Sequence, residues 1–202
     1  MPYKRRIQTK TLIIFEILLT LSIGKLNKQK IIAIMIKIDK NISSFSIYSC
    51  QPKTKDELKY IINKRIIKEG SKCDLNDIDV SLIEDMSYLF SFSTFSGDIS
   101  KWNVSNVKDM SEMFSYSTFN KPIGNWNISN VKDMSYMFDN SKFNKDISNW
   151  DVSNVKNMCG VFQKSKFIKD ISNWKINKDC DTTDIFNECP IKEEYKPKSL
   201  QS

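Results

Sequence analysis

The stretch that decides the fold is Asp146-Ile-Ser-Asn-Trp-Asp-Val-Ser-Asn-Val-Lys-Asn-Met158. It is one copy of a recurring unit. Trp102, Trp126, Trp150 and Trp174 follow one another at intervals of 24 residues, and so do Phe90, Phe114, Phe138, Phe162 and Phe186. A constant period of this length is the signature of a repeat array, in which each unit buries its apolar face only by stacking on its neighbours.

Residues 143–166 show what one unit contains. The apolar positions are Phe143, Ile147, Trp150, Val152, Val155, Met158, Val161 and Phe162. Trp150 and Val152 stand two apart, the spacing of one face of a strand. Val155, Met158 and Phe162 stand three and four apart, the spacing of a helix. Ser153-Asn154 between them predicts a helix N-cap, and Asp109 and Asp133 in the sister copies bring acid into the first turn. Each repeat is therefore expected to be a short strand, a capped turn, a short helix and a return loop. Strands of neighbouring repeats would pair in parallel ~4.8 Å apart, with right-handed crossovers. The Trp, Phe and Met rows are read as core, with each indole N–H donating to Asn149 or an equivalent neighbour.

Working outward, Asp74–Met86 is a degenerate first copy, complete copies start near Phe95, Phe119 and Phe143, and a fading copy starts near Phe167. Lys198 stands where the next Trp would fall, so residues 190–202 read as a terminating tail. Upstream, Thr54 and Glu57 form a capping box. Leu58, Ile61, Ile62 and Ile66 follow on one helical face, with Gly70 at the expected stop. This predicts a helix over 56–69, within a segment 51–72 that caps the open end of the array.

The first 50 residues differ in character. Lys4-Arg5-Arg6 precede an apolar run from Leu12 to Ile23, and Ser22-Ile-Gly24 follows, which is the outline of an export signal. Glu16 within the run and a second apolar stretch, Ile31 to Ile38, depart from that outline. The alternatives are an anchor or a misplaced start. Residues 1–72 carry 16 Lys and Arg against 5 Asp and Glu, whereas residues 73–202 carry 15 against 19. The basic front is thus the only segment suited to nucleic acid or a membrane surface. It lacks the interleaved aromatics of a single-strand binder.

The 202 residues contain no His, which excludes Ser-His-Asp and Cys-His catalysis. There is no Gly-rich phosphate loop and no convergent acid pair. The five Cys, at 50, 73, 159, 180 and 189, include no C-x-x-C pair for zinc. Asp98, Asp146 and Asp170 form a partial acidic row that Pro122 interrupts in the second copy. Without the Gly-and-Asp pattern of calcium-binding repeats, they read as solvated loop residues. Neither catalysis, a metal nor a cofactor is expected.

The copies Asp-Ile-Ser-x-Trp-Asn/Asp-Val-Ser-Asn-Val-Lys-Asp-Met-Ser-x-Met-Phe resemble the BspA-like leucine-rich-repeat surface proteins of bacteria, over about Thr54 to Cys189. The resemblance implies an α/β solenoid of the leucine-rich-repeat kind. It also implies a secreted or cell-surface protein that attaches to other proteins, with no catalytic residues to carry over.

The residues themselves point to the strand-side face for such binding. Its outward positions are Asn103, Asn127, Asp151 and Lys175, beside Ser105, Ser129, Ser153 and Asn177. Two readings stay open for them. They form a site for a host or extracellular-matrix protein, or they hydrogen-bond along the array and nothing more. A further alternative for the chain is a cytoplasmic scaffold, or a protein that uses its basic front for nucleic acid or membrane.

Overall fold

A computed structural model describes residues 48–201. The export-signal outline and most of the basic front lie outside them. Within them, helix α1 (Lys55–Glu69) is the only α-helix. No helix among the described residues is long and apolar enough to cross a membrane.

α1 forms as its caps dictate. The Glu57 N–H donates to Thr54 Oγ1 at 3.2 Å, while Glu57 Oε2 accepts from the Lys53 N–H at 2.7 Å. The helix stops at Gly70, whose φ of +86° suits glycine and whose N–H donates to the Ile66 carbonyl. Leu58 and Ile62 are fully buried, and Ile61 and Ile66 are half-buried against the same core. Two ion pairs pin the helix to the first repeat. Lys55 Nζ reaches Asp85 at 2.7 Å, and Arg65 Nη1 reaches Asp77 at 2.9 Å. On another side of that repeat, the Ser49 N–H donates to the Asp77 carbonyl and the Asp79 N–H to the Cys50 carbonyl.

The repeats differ from expectation first in their backbone. Where Met158 to Phe162 and their counterparts predict a helix, the chain makes a string of turns. The Leu89, Ser91 and Ser93 N–H groups donate three residues back, to Met86, Tyr88 and Phe90. The intervening N–H groups, of Met86, Tyr88, Phe90 and Phe92, donate instead to the next repeat, at Asp109, Ser111, Met113 and Ser115. An α-helix would direct all of these donors to its own i−4 carbonyls and leave none to join repeats. The alternation requires a left-handed residue at every fourth position, and Tyr88, Phe92, Glu112, Tyr116, Tyr136, Asn140, Lys164, Asp184 and Glu188 all have φ between 47° and 59°. Such a conformation costs about 1–2 kcal/mol for a residue with a Cβ, so the pairing must hold it in place.

The parallel pairing also lies elsewhere than the Trp–Val spacing suggests. The bridges join Asp85, Asp109, Asp133, Asn157 and Asp181 in succession. Trp150 and Val152 belong to no ladder, although they and Asp151 alternate in burial as a strand would. The acids at Asp85, Asp109 and Asp133 start no helix. Each carboxylate accepts from both the N–H and the hydroxyl of the Ser two residues on, at 2.7–2.8 Å.

The core consists of rows of rings. Phe90, Phe114, Phe138, Phe162 and Phe186 stack one on the next at 5.6–5.8 Å. A second row, Phe95, Phe119, Phe143 and Phe167, runs beside it at 6.1–6.4 Å. Trp102 stacks on Trp126, and Trp150 on Trp174. All four Trp are 4% exposed. Their indole N–H groups do not go to Asn149. They donate to carbonyls 27 residues back, at Leu75, Ile99, Ile123 and Ile147. Each Trp thus fills the core and ties its repeat to the preceding one.

The expected tail is packed. Ile191 and Pro197 are buried, Tyr195 and Leu200 are half-buried against the core, and the Ile171 N–H donates to the Tyr195 carbonyl at 2.9 Å.

Removing a central indole leaves a cavity and takes away one bond between repeats, while the Ile99 or Ile123 carbonyl keeps the backbone N–H of Trp102 or Trp126. Trp126→Ala or Trp150→Ala is expected to lower unfolding free energy by about 3–5 kcal/mol in urea denaturation. Deleting residues 1–72 exposes the surface under Leu58 and Ile62 and should cause aggregation by light scattering, whereas deleting 1–47 should leave a soluble chain.

Candidate functional site

The positions singled out from sequence recur along the array, two per repeat. Asn103, Asn127, Asp151 and Lys175 are exposed, while Val104, Ile128 and Val152 beside them are buried. Ser105 and Ser129 are half-buried, and Ser153 and Asn177 are exposed. Because no ladder runs through this stretch, the face is not a strand face in the hydrogen-bonding sense.

Most of these residues hold the backbone in place. Asn103 Oδ1 accepts from the N–H and hydroxyl of Ser105, and Asn127 does the same for Ser129. Asp151 Oδ1 accepts from Ser153 at 3.1 Å (N–H) and 2.6 Å (hydroxyl). These bonds favour the ionised form and hold the Asp151 carboxyl below its ordinary range, assisted by Lys175. In the fourth copy Lys175 makes no such turn. Asn177 takes over the function, accepting from the Asp179 N–H at 3.0 Å.

A second polar row lies beside this one, on residues expected to be helix caps. Asn106, Asn130 and Asn154 donate their side-chain N–H to the carbonyls of Ser81, Ser105 and Ser129 in the preceding repeat, at 2.7–2.9 Å. Asn125 and Asn173 do likewise to Ser100 and Ser148. The recurrence of Asn at these positions was the available signal. An amide placed every 24 residues can reach across a junction as readily as it can cap a helix.

Asp146 and Asp170 line an open groove of about 630 Å³ with Asn144, Lys145, Ser148 and Lys169. Their carboxyls are held below the ordinary range by hydrogen bonds from Ser148 and Ser172. For Asp98, burial works against ionisation, but the hydrogen bonding by Ser100 outweighs it. All three are tied into Asx turns. Among the described residues no group of three His, Cys, Asp or Glu converges to hold a metal ion.

A feature the sequence reading passed over is an exposed aromatic cluster on the turn side. Phe92 is 73% exposed and stacks on Tyr116 at 4.8 Å, with Tyr88 also exposed. These rings occupy left-handed positions whose side chains must point outward. They do not recur in every copy, so the periodic pattern gave no sign of them.

The Asn row supplies a built-in control. Asn154→Ala removes one bond between repeats and should cost about 0.5–1.5 kcal/mol. Lys178 holds the same place in the next copy without such a bond, and Lys178→Ala should stay within about 0.5 kcal/mol of the parent in the same denaturation series.

The family described as "Mycoplasma protein of unknown function, DUF285" matches residues 62–142 and again residues 139–194. The two consecutive matches span the array, from within α1 to the packed C-terminal segment. No curated protein and no solved structure matches the chain. With repeats that bond to one another over the same residues and two family matches covering well over half its length, the chain belongs to the DUF285 repeat family.

Proposed function

We propose that this chain is a non-enzymatic binding protein of the BspA-like kind. In this reading its repeats form a solenoid, and a protein partner lies across the face of Asn103, Asn127, Asp151 and Lys175. The observation that supports it is the division of the residues. The periodic apolar rows are buried and unavailable. The turn side changes from copy to copy, with Tyr88, Glu112, Tyr136 and Gly160 at one position. The remaining recurring surface is polar, exposed and held rigid by its own hydrogen bonds, so a partner that engages it does not have to order it. A secreted or cell-surface location, with attachment to host or extracellular-matrix protein, follows from the family resemblance of the repeats.

The test has to spare the turns. Lys at Asn127 or Asp151 would remove the acceptors of Ser129 and Ser153 and weaken the fold. Asn127→Asp keeps the acceptor, as Asp151 shows, and Lys175→Asp alters a side chain with no turn to hold. The double variant turns the face acidic. It should unfold within about 1 kcal/mol of the parent in urea. It should bind an immobilised extracellular-matrix protein preparation at least ~10-fold more weakly, which is 1.4 kcal/mol. Equal binding by the folded variant would show that the face is structural only.

A further inference from the structure

The array as a whole is acidic, with 15 Lys and Arg against 19 Asp and Glu over residues 73–202. Three stretches at the same place in successive repeats, 118–122, 142–146 and 166–170, reverse that balance. They contain Lys121, Lys142, Lys145, Lys166 and Lys169 against Asp146 and Asp170. The stretches lie side by side. The Lys142 N–H donates to the Ser117 carbonyl and the Lys166 N–H to the Ser141 carbonyl, both at 3.2 Å. Asn120 Oδ1 accepts from the Asn144 N–H, and Asn144 Oδ1 from the Ile168 N–H. Beneath them Phe119, Phe143 and Phe167 are fully buried and stack at 6.4 Å.

Four of the five lysines are exposed and Lys145 is half-buried. Among the described residues none of the five makes an ion pair. Lys169 favours the ionised form of Asp146 without pairing with it. Both carboxylates already accept from a serine, Asp146 from Ser148 and Asp170 from Ser172. Another lysine row, Lys108, Lys132 and Lys156, is balanced instead. Lys108 pairs with Glu84 at 2.8 Å, and Asp109 and Asp133 follow their lysines in the chain.

A strip of cations set one repeat apart on an acidic body suits a linear polyanion. The surroundings select which. A single nucleic-acid strand needs exposed rings on which its bases stack, and the rings here are buried. The strip has no Arg, and Lys lacks the planar fork that reads base edges. An anionic bilayer favours cations beside a broad apolar face, whereas Ile168 is the one large apolar side chain exposed in these stretches. A sugar chain fits. Lys145 and Lys169 line the open groove together with Asn144, Ser148, Ser172 and Asn173. Amides, hydroxyls and the two carboxylates there can exchange hydrogen bonds with sugar hydroxyls. Five lysines within three repeats match more than one negative charge per sugar, which sulfate esters supply.

We infer that Lys121, Lys142, Lys145, Lys166 and Lys169 form a binding strip for a sulfated polysaccharide. Sulfate groups meet the lysines, and sugar hydroxyls enter the groove. The strip uses none of the residues of the Asn103–Lys175 face and stands independently of the function proposed for that face.

The test uses the full chain, labelled with ¹⁵N, and a heparin-derived tetrasaccharide. On titration the amides of Lys121, Asn144, Lys145, Ile168 and Lys169 should shift saturably, and those of Asn103 and Asn127 should stay. The fourfold variant Lys142→Gln, Lys145→Gln, Lys166→Gln, Lys169→Gln should keep the parent's urea midpoint. Its affinity, read from the strip amides, should fall at least ~10-fold. A charge-matched variant, Lys132→Gln, Lys156→Gln, Lys175→Gln, Lys178→Gln, should lose less than ~3-fold. The desulfated tetrasaccharide should bind at least ~10-fold more weakly than the sulfated one. The inference is overturned by any of four results: no shift at the strip amides, undiminished binding by the folded strip variant, an equal loss in the charge-matched variant, or equally tight binding of the desulfated sugar, an oligonucleotide or a poly-Glu peptide.

Discussion

The structure depends on how each repeat divides its backbone donors. Along 86–93 and the corresponding stretches up to 158–165, N–H groups alternate between a carbonyl three residues back and a carbonyl in the next repeat. The first set bends the chain into turns, and the second joins the repeats. Neither is sufficient alone. Turns without the junction bonds would be isolated, and the junction bonds need the left-handed residues that the turns create. This coupling holds seven non-glycine residues, from Tyr88 to Lys164, at positive φ, a conformation that a free segment would leave at once.

The side chains follow the same logic of joining neighbours. Each indole N–H reaches a carbonyl 27 residues back, and each Asn of the 106, 130 and 154 row reaches one 25 residues back. The Phe rows add stacked apolar area within each repeat and between repeats. Stability is therefore spread over the junctions between repeats rather than held within each one. The ends need separate treatment. α1 covers one through Leu58 and Ile62, and residues 191–200 cover the other through Ile191 and Tyr195. Both turn apolar residues to the core, and the outer side of α1 is mostly polar but exposes Tyr60 and Ile67.

This economy limits where function can reside. The apolar rows and most of the recurring polar residues have structural partners. What is left includes a rigid polar face, an exposed aromatic cluster at Phe92 and Tyr116, and the N–H groups of the last repeat that meet no acceptor among the described residues. The two family matches, over 62–142 and 139–194, fall on the residues that build the array.

The sequence by itself determined the period, the identity of the core rows, the start and stop of α1 and the positions that face solvent. These are set by local rules: burial of apolar side chains, capping at Thr54 and Gly70, and alternation around Trp150. They do not depend on which repeat lies beside which. Tertiary structure decided the backbone within each repeat. Val155, Met158 and Phe162 carry helical spacing, yet the chain there forms turns, because the N–H groups that a helix would use internally bond to the neighbouring repeat. The partner of each indole N–H and the role of the Asn rows were illegible for the same reason. Their acceptors are carbonyls 25–27 residues away, and a single repeat read alone does not contain them.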